Sequence, residues 1–294
     1  MNSLQISSKY SKVKEIYIKI SGVLDPKTKI AKLGTGIVDP GDLLFSISHY
    51  PNGSLDDEIY RDYLGKKFRA WMRPWQGFDR SDIYIWHVAI YIGARRRKRH
   101  DKVNIWMIHS TGEEGVHLKQ LSYGIFKNKN PKQRNRIELL KYNDINKQQR
   151  EKIIDFANSK VGLDYDRRPG KYLTYVFGLP NAGQIQNQFT CQQLVIEAYA
   201  AAGIYFPHPY KSFPIFNIGR YLGHPLGHPK DRVDPRFPYL MDHHIYRDPR
   251  FVLKAAVYQD PNTDEIILQT ENLKKYSWNE ALREKYIKKG YLDP

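Results

Sequence analysis

The chain has 294 residues, 41% of them apolar, which is enough for a large buried core and excludes a wholly disordered chain. Its single cysteine, Cys191, excludes an intrachain disulfide and a four-thiolate zinc or iron–sulfur centre. Lys and Arg number 47 against 31 Asp and Glu; the resulting charge of +16 favours nucleic acid, anionic lipid or an acidic polymer without choosing among them, and a soluble basic protein can carry it with no such partner.

No apolar run reaches the ~18 residues of a membrane span. The first 30 residues alternate polar and apolar types, without the continuous apolar stretch of a secretory signal. The expectation is a soluble protein, cytoplasmic or exported by a specialised route, with its compartment left open. Texture divides the chain into an N-terminal extension (1–38), a central region (39–205) and a C-terminal extension (206–294).

In chain order, Glu15 to Ile20 alternates like a short strand. Pro40-Gly41-Asp42 is a turn leading into the apolar run Leu43 to Ile47, a buried strand. Residues 56–73 space Ile59, Leu64, Phe68, Trp71 and Met72 as a helix does. Tyr84 to Gly93 is a strand, Arg95 to Arg99 a solvated connection, and Val103 to His109 the returning strand. Val116 to Leu118 and Arg136 to Tyr142 add two more. Residues 147–161 form a helix ended by Gly162. Residues 190–203 form the clearest helix: Thr190 with Gln193 makes a capping box, and Leu194, Val195, Ala198 and Tyr199 give the apolar stripe. Beyond it, Phe251 to Tyr258 and Glu265 to Gln269 form a hairpin, and Ser277 with Glu280 opens a last helix that stops at Gly290.

Cys191 stands at the first helical position after its cap. Helix N-termini carry partial positive charge and outward-facing N–H groups. A thiolate is stabilised there, and the same N–H groups can hold an oxyanion. A buried structural thiol is the alternative reading. A nucleophilic Cys needs a base. If the strands pair symmetrically about the loop 94–102, residues whose numbers sum to 196 face each other, so that Gly93 meets Val103 and His87 meets His109 on one face. One imidazole then takes the thiol proton while the other orients it.

The order of these pieces carries a resemblance. Pro40-Gly41-Asp42-Leu43-Leu44-Phe45 is followed by His87-Val88-Ala89-Ile90-Tyr91-Ile92-Gly93. His109 closes the next strand, then come Gly115-Val116-His117-Leu118, a Gly-Leu-Asp-Tyr-Asp segment at 162–166, and Phe189-Thr190-Cys191. Over residues 38–205 this resembles the circularly permuted papain-like cysteine hydrolases of the NlpC type, as in YiiX-like proteins and the lecithin–retinol acyltransferase group. The resemblance implies an α+β fold: a permuted papain-like core at 39–205, its antiparallel sheet packed against the nucleophile helix, with a C-terminal α/β extension. It implies Cys191 as nucleophile, His87 as base and His109 as the third, orienting residue. Asp42 matches a structural Asp of the GD turn, and Tyr165 matches a substrate-side tyrosine loosely. Gln192 stands where relatives often have Ser, and Glu113 and Glu114 are lower-ranked rivals to His109.

The implied reaction is cleavage of a peptide- or peptidoglycan-type amide through an acyl-enzyme. A lipid ester hydrolase or acyltransferase is the alternative, and a non-catalytic basic protein holding nucleic acid is the second. No cofactor or metal is expected. His208, His224, His228, His243 and His244 invite a zinc reading, but their spacing matches no ligand pattern, and Gly34-Thr35-Gly36 lacks the context of a nucleotide loop. Arg95 to Arg99 is either a solvated hairpin tip or a dock for an anionic surface.

Overall fold

A computed structural model describes residues 13–23, 25, 32–49, 83–96, 103–121, 134–166, 188–206, 242–260, 262, 263, 265–276, 284 and 288. The expected helix at 56–73, most of the one at 277–290, and His208, His224 and His228 lie outside them.

Seven strands form one antiparallel sheet: β1 (Leu43–His49), β2 (Ile83–Arg96), β3 (Val103–Thr111), β4 (Gly115–Gln120), β5 (Arg134–Tyr142), β6 (Phe251–Gln259) and β7 (Ile266–Gln269), in the spatial order β4-β3-β2-β1-β5-β6-β7. Every strand expected from β-branched and apolar runs in the central and C-terminal regions is present. The sheet continues across residue 205, because β6 pairs with β5 along its length.

Helices cover both faces. On one face lie α2 (Lys147–Ser159), α3 (Cys191–Ala201) and α4 (Asp242–Arg247). Their Ile153, Ala157, Leu194, Val195, Ala198, Ile245 and Tyr246 share a core with Leu43, Phe45, Val88, Ile90 and Ile108. On the other face, α1 (residues 13–21) sets Ile16, Tyr17 and Ile20 against Leu44, Ala89, Tyr91 and Met107.

The strand expected at Glu15 to Ile20 is therefore a helix. Ile16, Ile18 and Ile20 suggest a period of two, but Ile18 is 42% exposed while Tyr17 is buried. The buried set Ile16, Tyr17 and Ile20 follows the helical period, and burial against the sheet decides it.

Two further corrections concern β2 and β3. Arg95 and Arg96, expected in the connection, are strand residues paired with Asn104 and Val103. Gly93 faces Trp106 rather than Val103, with a bulge between Tyr91 and Gly93. The longer strand and the bulge both displace the symmetric register assumed from the sequence.

Asp42 is fully buried at the start of β1 and joins three elements. Its Oδ1 accepts from Arg150 Nη1 of α2 at 2.8 Å and from the backbone N–H of Tyr142 in β5 at 3.2 Å. Its Oδ2 accepts from Asp39 N at 2.8 Å, closing the turn. Gly41 takes a φ of 95°, a left-handed conformation that suits glycine. Its carbonyl accepts from Tyr199 Oη of α3 at 2.6 Å, so the Pro40-Gly41-Asp42 turn locates α3 as well. Burial pushes the Asp42 carboxyl up against the pull of Arg150. Removing one partner of a buried pair strands the other charge. Arg150→Met is expected to lower unfolding stability by about 3–5 kcal/mol, measured by urea denaturation.

Candidate active site

The segment that opens on Cys191 is held to the end of β3. Ser110 Oγ donates to Phe189 O at 2.6 Å, two residues before Cys191. Phe189 N donates to Asp164 O, and Val116 N of β4 donates to Leu163 O, so the 163–164 segment bridges β4 and the entry to α3. Gly115 opens β4 with a φ of 66°, and a Cβ there would collide with Leu163 O.

Thr190 caps α3: its side chain accepts from Gln193 N at 3.3 Å. The Gln193 side chain runs down the helix and donates to Glu197 Oε1 at 2.8 Å. Cys191 is 6% exposed, and its Sγ donates to Gln192 Oε1 at 3.0 Å, with Gln192 itself buried. Helix α3 packs on β2 and β3, the strands carrying the two histidines singled out from the sequence.

His87 and His109 meet directly. His87 Nε2 lies 2.7 Å from His109 Nδ1, with the rings edge to face at 4.9 Å between centroids. They are not directly opposite, as the symmetric register required. Tyr91 pairs with Met107 and Ile90 with Ile108, so the next step along sets His109 beside Ala89, two residues from His87. An even displacement preserves the face, and diagonal neighbours on a sheet remain within reach of long side chains.

A bulge on the β1 side falls at the same place. Ser46 pairs with His87 but Ile47 pairs with Ile85, so one extra residue precedes His87. Bulges re-aim side chains, and here one sits beside the His87 imidazole.

The sequence reading overlooked a third imidazole. The turn between β3 and β4 spans Gly112 to Glu114, so Thr111 pairs with Gly115 and His109 pairs with His117. His109 Nε2 lies 2.9 Å from His117 Nε2, and His117 Nδ1 lies 3.0 Å from Gly115 O. That turn is short enough to fix the register, so the signal was available in the spacing of 109 and 117. Glu114, a rival to His109, joins the group: its Oε2 lies 2.5 Å from His117 Nε2 and 3.5 Å from Lys119 Nζ. Glu113 lies exposed on the turn, and Tyr165 is half-buried beside Asp164. Among the described residues no group of three or more His, Cys, Asp or Glu could hold a metal ion.

Burial, then His117 and Lys119, drives the His87 imidazole down to about 4. Burial, then His87, His117 and Lys119, drives His109 to about 2. Both rings are neutral at pH 7, the form in which an imidazole can accept a proton.

An antiparallel sheet, a helix opening on the lone cysteine and a histidine strand preceding it in the chain are consistent with a permuted papain-like hydrolase. The sequence model for the permuted papain-like amidase enzymes of the YaeF/YiiX, C92 family matches residues 38–213, more than half of the chain, and the chain belongs to that family. At family level it is a cysteine amide hydrolase. No curated protein matches the chain. The family speaks for amide chemistry and lends nothing to the lipid-ester alternative or to docking of an anionic surface by Arg95 to Arg99. Among the described residues no helix is long and apolar enough to cross a membrane.

The depressed imidazoles also fix a pH dependence of stability. As pH falls below 6.5 the unfolded chain gains protons on His87 and His109, while the folded chain holds them neutral down to about 4 and about 2. Stability should fall as pH drops from 7 to 5. The urea midpoint should fall less steeply in His109→Gln, which lacks one of the two titrating rings.

Proposed function

We propose that the protein hydrolyses a peptide-type amide bond, with Cys191 as nucleophile, His87 as base and His109 as the residue that orients it. The observation that carries this reading is the 2.7 Å bond between His87 and His109 at the sheet end to which Ser110 ties the segment opening on Cys191.

Nε2 of His87 is bonded to His109, and in this reading Nδ1 takes the thiol proton. The Cys191 thiolate then attacks the substrate carbonyl carbon, and the carbonyl π electrons move onto oxygen. The N-terminal turn of α3 supplies N–H groups and partial positive charge suited to that oxyanion. Collapse of the tetrahedral intermediate breaks the C–N bond, and His87 returns its proton to the departing amine. A water molecule, deprotonated by the same nitrogen, attacks the thioester and releases the carboxylic acid; Cys191 leaves as thiolate and regains the proton. Burial holds His87 neutral so that it can begin the cycle as a base.

Turnover of a panel of peptide amides tests the assignment. Cys191→Ala is expected to abolish it, and His87→Ala to lower it by about 10²–10⁴-fold. His109→Ala should cost less, because an orienting group is not itself consumed. Circular dichroism should show all three variants folded. Normal turnover in Cys191→Ala or His87→Ala would remove those residues from the mechanism.

A further inference from the structure

Three imidazoles stand in a row from β2 across β3 to β4, ending on a backbone carbonyl. The row has a direction, which follows from counting protons. Gly115 O can only accept, so Nδ1 of His117 carries a proton and donates to it at 3.0 Å. A neutral imidazole has one N–H, so Nε2 of His117 is a lone pair and accepts from His109 Nε2–H at 2.9 Å. His109 Nδ1 is then a lone pair and accepts from His87 Nε2–H at 2.7 Å. His87 Nδ1 is left as a lone pair. With the rings neutral, each link has one assignment, and a carbonyl three rings away settles which nitrogen of His87 is basic.

The contact at Glu114 belongs to the opposite direction: its Oε2 lies 2.5 Å from the same His117 Nε2, a separation that needs a proton between nitrogen and oxygen, and Lys119 Nζ lies 3.5 Å from that carboxylate. A His117 carrying both protons donates through Nε2 and offers His109 no lone pair. His109 Nε2 must then accept, its Nδ1–H donates to His87 Nε2, and His87 Nδ1 is capped by a proton. The row therefore has two states, and only the one with a lone pair on His117 Nε2 presents a base.

We infer that His117 is a positioning residue: through His109, its Nε2 lone pair fixes the tautomer of His87 that the hydrolysis requires. This rests on the assignment of His87 as base, and it adds that a residue two rings away from that base controls whether it works.

The experiment uses variants that separate the lone pair from the bulk of the ring. His117→Gln keeps an acceptor oxygen near the position of Nε2, and His117→Leu has none. With iodoacetamide at pH 7 as probe, the Cys191 alkylation rate should stay within a few-fold in His117→Gln and fall about 10–100-fold in His117→Leu. In turnover the loss should appear in kcat and not in KM, as a residue that acts only through His109 requires. Nitrogen-15 NMR of the His87 ring, recorded in Cys191→Ala so that the thiol does not intervene, reads the tautomer directly. Nδ1 should be unprotonated there and become protonated, at least in part, when His117→Leu is added. An unchanged His87 tautomer in His117→Leu, or equal alkylation rates in the Gln and Leu variants, would overturn the inference. If the tautomer follows His117 while alkylation is indifferent to His87→Ala, the relay stands and the base assignment fails.

Discussion

The imidazole of His109 is bonded on both sides, to His87 at 2.7 Å and to His117 at 2.9 Å, and much of the site follows from that. A ring with a hydrogen bond at each nitrogen cannot flip or rotate without losing one of them, and losing a buried bond costs about 1–3 kcal/mol. The neighbours of His109 along β3 do a different task. Ile108 enters the core shared with α3, and Ser110 holds Phe189. His109, between them, pairs across the sheet with His117. One short stretch of β3 thus ties down the entry to α3 and holds the row of imidazoles.

Low dielectric sets the protonation of this arrangement. Burial is the largest cause of the depression at both His87 and His109, and the neighbouring rings add to it, since two adjacent imidazolium charges repel. The same burial that keeps the pair neutral makes it a liability in acid. A protein that hides two histidines gives up stability whenever the unfolded chain can protonate them and the folded one cannot.

The strands and the two long helices were legible because their signals are local. β-Branched runs, turn residues and the Thr190 cap each act over a few neighbours, and the observed bounds differ from the expected ones by a few residues. Of the candidate site, one contact was legible: His87 and His109 come together as the sequence suggested. The register was not, because a bulge at Ile92 and the strand character of Arg95 and Arg96 depend on pairing across the sheet. That His87 and His109 still met owes to a displacement of two, which keeps the face; a displacement of one would have turned one ring away. The helix at 13–21 was misread because a three-isoleucine alternation fits a strand in isolation, and only packing of Tyr17 against the sheet selects the other period. His117 was passed over although the tight turn at 112–114 makes its position calculable.

The sheet's order has a consequence for any attempt to isolate the matched region. β5 lies between β1 and β6, and the matched residues end before β6 begins. A fragment stopped at 213 would bare the hydrogen-bonding rim of β5 and uncover Ile137, Leu139 and Leu140, which Leu253, Ala255 and Val257 help to shield. Unprotected rims of this kind recruit other chains. The C-terminal hairpin covers that rim within the chain, although it lies beyond the residues that match the family.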